Sequence, residues 1–269
     1  SEDGKDWKSA ALLETKGVDL RDAKLSITPG GMLLLNSCEY RVDNDKADIR
    51  NNTSVTYISS NGTDWKGPTQ IADKGYWLWQ TTWQAGIGYA LGYRWGHRDA
   101  TKLYQTKDGS EYTQLVNHLR PPGDRSNEHA MFFDDEGRAH MLLRRDNATS
   151  KQAGLALLGQ SEAPYTDWEW RRLNVSIGGP SIIELPDGRI IACVRRYAAE
   201  NHRDWGSQWT EIGWINPATA TYTPSTKLPS GGDSSYAGLV WYNGLLWISY
   251  YSSHNGKTSI YLAKVSIPD

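Results

Sequence analysis

Ser59-Ser60-Asn61-Gly62-Thr63-Asp64-Trp65 decides the fold, because it is not alone. Ser1-Glu2-Asp3-Gly4-Lys5-Asp6-Trp7 matches it, Thr106-Lys107-Asp108-Gly109-Ser110-Glu111-Tyr112 matches both, and Ser161 to Trp168 is a looser copy. The shared pattern is S/T-x-D/N-G-x-x-W/Y, with its glycines 58 and 47 residues apart. An Asx side chain can bond its own downstream backbone, and glycine takes the positive φ that closes such a turn. Trp7, Trp65 and Tyr112 are expected to be buried plugs on an outer rim.

Working outward, a second repeat runs in step with the first. LSITPGGMLLL around Gly30, AMFFDDEGRAHMLL around Gly137, SIIELPDGRIIAC around Gly188 and GLVWYNGLLWIS around Gly244 each read as apolar run, glycine turn, apolar run. That is the signature of a tight β-hairpin. The spacings are 51 and 56 residues, and the 107-residue gap between Gly30 and Gly137 spans two periods, with a weaker copy near Gly86 and Gly88. A period near 50 residues suits four-stranded propeller blades. The expectation is an all-β propeller with blades at 23–72, 76–119, 127–175, 178–230 and 235–267. It is a single domain over 1–269, with six blades if an N-terminal blade is missing. Residues 9–14 are expected to complete the C-terminal sheet, and no segment shows sustained helical periodicity. GVDLRDAKLS and the region 197–205 could each hold a helical turn.

Composition narrows the function. Of 269 residues, 38% are hydrophobic and 22% charged, with a net charge of −2, which excludes a charged disordered tail and gives no electrostatic case for nucleic acid. No apolar run approaches the ~20 residues of a membrane span. Two cysteines, Cys38 and Cys193, make neither a disulfide scaffold nor a zinc knuckle. The sequence has 13 Trp and 15 Tyr against 2 Phe. Such rings suit turn corners and sugar-stacking surfaces, or simply replace Phe in the core. Asn51, Asn52, Asn61, Asn147 and Asn174 head Asn-x-Ser/Thr triplets and are read first as turn residues. There is no phosphate loop, no H-E-x-x-H and no Cys/His ligand spacing, so no cofactor or metal is expected. Of the scattered histidines, His140 is read as structural, and His129 and His254 as candidates for the axis.

In a propeller the chemistry lies at the ends of the innermost strands. Arg21, Asp22, Arg94, Glu128, Arg144, Arg195, Arg196 and Tyr236 fall there. A converging set of arginines is a carboxylate receptor, since the guanidinium fork pairs with planar anions.

The seven-residue boxes resemble the Asp boxes of the sialidase superfamily and related BNR-repeat propellers, and the resemblance covers essentially the whole chain as a repeat. It becomes residue-specific at Asn127-Glu128, Gly137 and Arg144, where Glu and Arg stand 16 residues apart as in that family. Val194-Arg195-Arg196-Tyr197 follows, and then Asp233-Ser234-Ser235-Tyr236-Ala237-Gly238-Leu239, similar to the segment carrying the family's nucleophilic tyrosine. The family's F-R-x-P motif is absent, as is a Ser after Tyr236. The resemblance implies an exo-acting glycoside hydrolase, secreted or periplasmic, on a terminal acidic sugar of a glycan. Tyr236 would be the nucleophile, Glu128 its base and Asp22 the general acid, with Arg21, Arg94, Arg144, Arg195 and Arg196 binding substrate. A tyrosine avoids the repulsion a carboxylate nucleophile meets beside a sugar carboxylate. Two alternatives stand beside this: a non-catalytic glycan-binding propeller, and a propeller lyase acting on a uronate with Tyr197, Tyr236 or His129 as base.

Overall fold

The structure, a computed structural model, describes residues 1, 3–43, 46–47, 52–94, 101–121, 124–146, 154–197 and 208–268. His97, His202, Asn51, Asn147 and the suggested helical turn beyond Tyr197 lie outside them. The chain forms two compact units, Ser1–Asp124 and Arg125–Asp269.

The first unit holds two sheets. One runs in the order β1 (Val18–Ile27), β2 (Leu33–Asp43), β4 (Thr53–Ser59), β5 (Lys66–Gln70), with β3 (Lys46–Ala47) paired to β2. The other is built from β6 (Trp77–Leu78), β7 (Thr82–Gln84), β8 (Ile87–Tyr93), β9 (Thr101–Thr106) and β10 (Thr113–Arg120), with β6 and β7 both paired to β8. The second unit holds three. They are β11 (Ser126–Phe133) to β14 (Glu169–Ser176) through β12 (Ala139–Arg145) and β13 (Leu155–Ser161); β15 (Gly178–Glu184) to β18 (Thr221–Lys227) through β16 (Ile190–Tyr197) and β17 (Gln208–Asn216); and β19 (Ser235–Tyr242), β20 (Leu245–Ser252), β21 (Ser259–Val265). Every ladder is antiparallel, and no helix occurs among the described residues. The five sheets match the five expected blades. Residues 9–14 form no strand, and GVDLRDAKLS is the strand β1 rather than a helical turn.

The turns repeat as the spacing requires. Thr28, Asp134 and Leu185 each donate their N–H four residues ahead and accept one from a glycine three residues ahead. That glycine is Gly31, Gly137 or Gly188, at φ 77°, 80° and 80°, so Gly31 rather than Gly30 carries the first turn. The boxes share a second frame. Gly4, Gly62 and Gly109 donate to the hydroxyls of Ser1, Ser59 and Thr106 at 2.8–2.9 Å. Asp3, Asn61 and Asp108 each accept two N–H groups. The plugs differ. Trp7 is 67% exposed, against expectation. Trp65 is half-buried with its Nε1 on the Gly62 carbonyl, and Tyr112 packs beside Ile71, Leu78, Ala90 and Tyr104.

Cores lie between consecutive sheets, and β16 shows why. Its side chains alternate, with Ile190, Ala192 and Val194 joining Leu142, Leu158 and Leu173 of the preceding sheet. Ile191 and Cys193 join Ala237, Leu246 and Ile248 of the following one. Both cysteines are buried free thiols.

One irregularity recurs in four first strands, at the start of β11, β15 and β19 and in the middle of β1. Register shifts between Arg21 and Lys24, Ser126 and His129, Gly178 and Ser181, and Ser235 and Gly238, with one extra residue on the first strand each time. The extra residues are Asp22, Asn127, Gly179 and Tyr236. Three of them have positive φ: Asp22 at 56°, Gly179 at 51° and Tyr236 at 49°. Such bulges re-aim a side chain and are common beside active sites.

Candidate functional site

In the second unit the residues at the starts of β11, β15 and β19 meet those at the ends of β12, β16 and β20. Antiparallel pairing explains the Glu128–Arg144 spacing, because a hairpin returns Arg144 beside the strand start. Arg144 Nη1 donates to Glu128 Oε1 at 2.6 Å. The Tyr236 hydroxyl donates to the same oxygen at 2.8 Å, and the Gly179 N–H donates to Oε2 at 2.7 Å. Glu128 is 5% exposed. Burial alone would push its carboxyl up, but the Arg144 and Arg195 charges and the Tyr236 hydroxyl hold it below the ordinary range.

The bulge at Ser235–Tyr236 aims the tyrosine. Ser235 has φ 141° and Tyr236 φ 49°, a conformation that costs a bulky residue about 1–2 kcal/mol. Gly179 is the matching vacancy. A Cβ there would stand 2.5 Å from Tyr236 Cδ1 and 2.7 Å from Ser235 Oγ. Gly178 likewise leaves room for the Tyr197 hydroxyl.

The arginines are anchored from both sides. Arg144 Nε pairs with Asp146 at 2.8 Å, and Asp146 accepts from Asn127 Nδ2 at 2.6 Å. Burial opposes the Arg144 charge, but Glu128 and Asp146 more than restore it. Arg195 continues the face of Ile191 and Cys193. It donates to the Ser234 carbonyl at 2.9 Å and the Tyr251 hydroxyl at 2.7 Å, and pairs with Asp233 at 2.9 Å. Its guanidinium stands 5.0 Å from the centre of the Tyr236 ring. Tyr236 is half-buried, whereas Glu128, Arg144 and Arg195 are buried.

The structure therefore brings Glu128, Arg144, Arg195 and Tyr236 together. Arg196 is not with them. Strand alternation turns it to the other face, where it bonds the Ser176 carbonyl and approaches Glu211 at 3.4 Å. Arg21, Asp22 and Arg94 belong to the first unit. Arg21 is exposed, pairs with Asp19 and lies 4.2 Å from the Tyr40 ring centre. Asp22 is half-buried on its bulge, and Arg94 stands 6.0 Å from the Tyr76 ring centre. Of the bases considered for a lyase, His129 is fully buried and Tyr197 8% exposed, its hydroxyl pushed up by burial against the pull of Arg144 and Arg195. His140 stacks on Phe132 and bonds Asp134, and His254 stacks on Tyr261.

Sequence reasoning missed Gly179, Asp146, Asp233 and Tyr251. Gly179 acts through an N–H and a missing side chain, which composition does not display. Tyr251 was available in principle, as the residue opposite Ser235 in the β19–β20 hairpin. No group of three or more His, Cys, Asp or Glu able to hold a metal ion occurs among the described residues.

No protein-family model matches the chain, and no curated protein matches its sequence. Solved structures do match in fold. A Dyadobacter fermentans protein described as of unknown function aligns over 100% of this chain and 82% of its own, with TM-score 0.79 and 14% identity. An endo-arabinase from Bacteroides thetaiotaomicron aligns over 93% and 95%, with TM-score 0.64 and 17% identity. The GH43_1 enzyme from Xanthomonas citri, complexed with xylotriose, aligns over 94% and 89%, with TM-score 0.60 and 12% identity. At these identities the likeness is one of fold. The chain is a five-bladed β-propeller, its blades the five sheets described above.

Proposed function

We propose that the chain is a carbohydrate-active propeller domain over 1–269, a glycoside hydrolase that uses Tyr236 as nucleophile and Glu128 as its base. The observation that carries this is the 2.8 Å hydrogen bond from the Tyr236 hydroxyl to a buried, arginine-held carboxylate. The enzymes among the fold neighbours, an endo-arabinase and a GH43_1 enzyme bound to xylotriose, support a glycan substrate. The sialidase-like mechanism and the acidic sugar rest on the sequence resemblance and on the paired guanidinium groups beside the tyrosine.

The proposed first step is a displacement. The Tyr236 oxygen bonds to the anomeric carbon, its proton passes to Glu128 Oε1, and the bond to the leaving oxygen breaks. That oxygen takes a proton from a general acid. Water then attacks the anomeric carbon, giving its proton to the carboxylate left on the general acid, and the tyrosine oxygen departs with the proton that Glu128 returns. A carboxyl held low is a reluctant base. The compensation is the Arg195 guanidinium, which lies 5.0 Å from the centre of the Tyr236 ring and favours the developing phenolate charge. A glycan substrate also implies work outside the cytoplasm, secreted or periplasmic.

The test is a panel of aryl glycosides, acidic and neutral. Turnover of an acidic member is expected, and Tyr236→Phe lowers its kcat by at least about a thousandfold while binding survives. Full activity in Tyr236→Phe, or turnover confined to neutral pentosides, overturns the tyrosine mechanism or the acidic substrate respectively. A non-catalytic glycan-binding propeller is the second reading. It is favoured by Arg195, 1% exposed with Nε and Nη2 engaged by Ser234, Tyr251 and Asp233, which suits an arginine that braces the blades rather than one that takes part in turnover. Acidic glycan binding without turnover of any member selects it.

A further inference from the structure

The first strands of the second unit carry another feature at their far ends. β11, β15 and β19 carry Glu128, Gly179 and Tyr236 near their starts, and finish around a cavity of about 510 Å³. Phe133, Ile183, Leu185 and Trp241 contribute apolar groups to its lining, and two carboxylates, the exposed Asp135 and the half-buried Glu184, stand beside them. That volume falls within the range of small-molecule sites, which are mostly apolar with a few polar groups.

The charges are unbalanced. Among the described residues neither Asp135 nor Glu184 forms an ion pair or a side-chain hydrogen bond. The neighbouring acid, Asp134, is engaged by His140 Nε2 at 2.8 Å and by the N–H groups of Glu136 and Arg138. Arg138 and Arg189 are committed elsewhere, to Glu162 and Asp187. Burial pushes the Glu184 carboxyl up, and Asp135 and Asp134 push it further, with His140 opposing. A carboxyl in that position gains when a positive charge arrives. The aromatic walls favour the same ligand, since a cation is drawn to the face of Trp or Phe.

We propose that this cavity binds an organic cation with an aromatic or alkyl body, an amine or quaternary ammonium ion, its charge between Asp135 and Glu184 and its body against Phe133, Ile183 and Trp241. Two carboxylates beside aromatic and aliphatic side chains suit such a ligand better than a hard metal ion, which needs six or more oxygens. This inference does not depend on the chemistry assigned to the opposite ends of the strands.

The test uses the whole chain and benzyltrimethylammonium as probe, followed by calorimetry and tryptophan fluorescence. Saturable one-to-one binding is expected, at least about tenfold tighter than benzyl alcohol, the uncharged counterpart. Asp135→Asn and Glu184→Gln each weaken it about fivefold, the worth of one partly exposed charge pair. Trp241→Leu weakens it and removes the fluorescence change. Melting temperatures of the two carboxylate variants should equal or exceed the parent's, because repulsion has been removed, and this separates loss of binding from loss of fold. Absence of saturation overturns the proposal. So does equal affinity for benzyl alcohol, unchanged binding in both carboxylate variants, or displacement of the probe by equimolar calcium.

Discussion

Gly179→Ala puts the tyrosine–glutamate geometry under direct strain, and its cost can be worked from the structure. Two terms contribute. Residue 179 sits at φ 51°, so any side chain costs about 1–2 kcal/mol for the left-handed conformation. The new methyl would stand 2.5 Å from Tyr236 Cδ1 and 2.9 Å from Cε1, closer than carbon atoms tolerate, and overpacking of that kind costs about 1–3 kcal/mol. The sum is about 2–5 kcal/mol, or a fall in Tm of roughly 5–15 °C for a chain of this size. Gly188→Ala supplies the control, because Gly188 has φ 80° with nothing within 4 Å of its would-be Cβ. It should show the conformational term alone, about 1–2 kcal/mol, with turnover unaffected. Melting by circular dichroism gives the stabilities, and kcat on a substrate the parent cleaves gives the function. Gly179→Ala should lose turnover well below its own melting point, since the ring must move off Glu128 or push the strand back. If the two variants match in both Tm and kcat, Gly179 is not the vacancy that seats Tyr236, and the reasoning fails.

Other outcomes follow from the same residues. Glu128→Gln removes the charge from a buried pair and should cost about 3 kcal/mol or more, read by denaturant unfolding. The Glu128 carboxyl sits below its ordinary value when folded, so its stabilisation is present above that value and lost as pH falls through the folded one. The parent should therefore lose stability progressively below about pH 4, and Glu128→Gln should flatten that limb; an unchanged limb would show the pair contributes nothing. Trp65→Ala should cost about 2 kcal/mol, less than the 3–5 kcal/mol of a fully buried ring, and leave turnover at a permissive temperature untouched. A larger loss would mean the ring anchors more than its own turn.

Much of the architecture could be read because turns are local. Asp3, Asn61 and Asp108 close their boxes with groups two and three residues away, so pattern and structure coincide. Burial is not local, and Trp7, alike in sequence to Trp65, is exposed because nothing covers it. The site divides the same way. Glu128 and Arg144 were legible as the two arms of one hairpin. Arg195 and Arg196 were named together, and only parity with Ile191 and Cys193 separates them: odd positions face the fifth sheet and Arg196 faces the third. That parity was in the sequence once β16 was known to be buried on both faces. Asp233 and Tyr251 reach Arg195 from the fifth sheet, and such partners depend on how sheets stack rather than on any spacing.

The recurring bulge has an evolutionary consequence. Asn127, Gly179 and Tyr236 occupy one equivalent socket in three blades, each opposite a residue near the end of the second strand, and Asp22 sits on a matching bulge opposite the middle of β2. The backbone irregularity, not the side chain, sets the direction in which the socket points. The scaffold can therefore exchange its reagent by a single codon change without rebuilding a strand. Asp22 and Gly179 take the left-handed conformation at little expense, and Asn127 does not adopt it. Tyrosine takes it only under strain, so the fifth blade keeps an ill-suited occupant where a glycine or asparagine would sit more comfortably. Drift that relaxed the demand on this position would replace the tyrosine first and stabilise the protein as it did so.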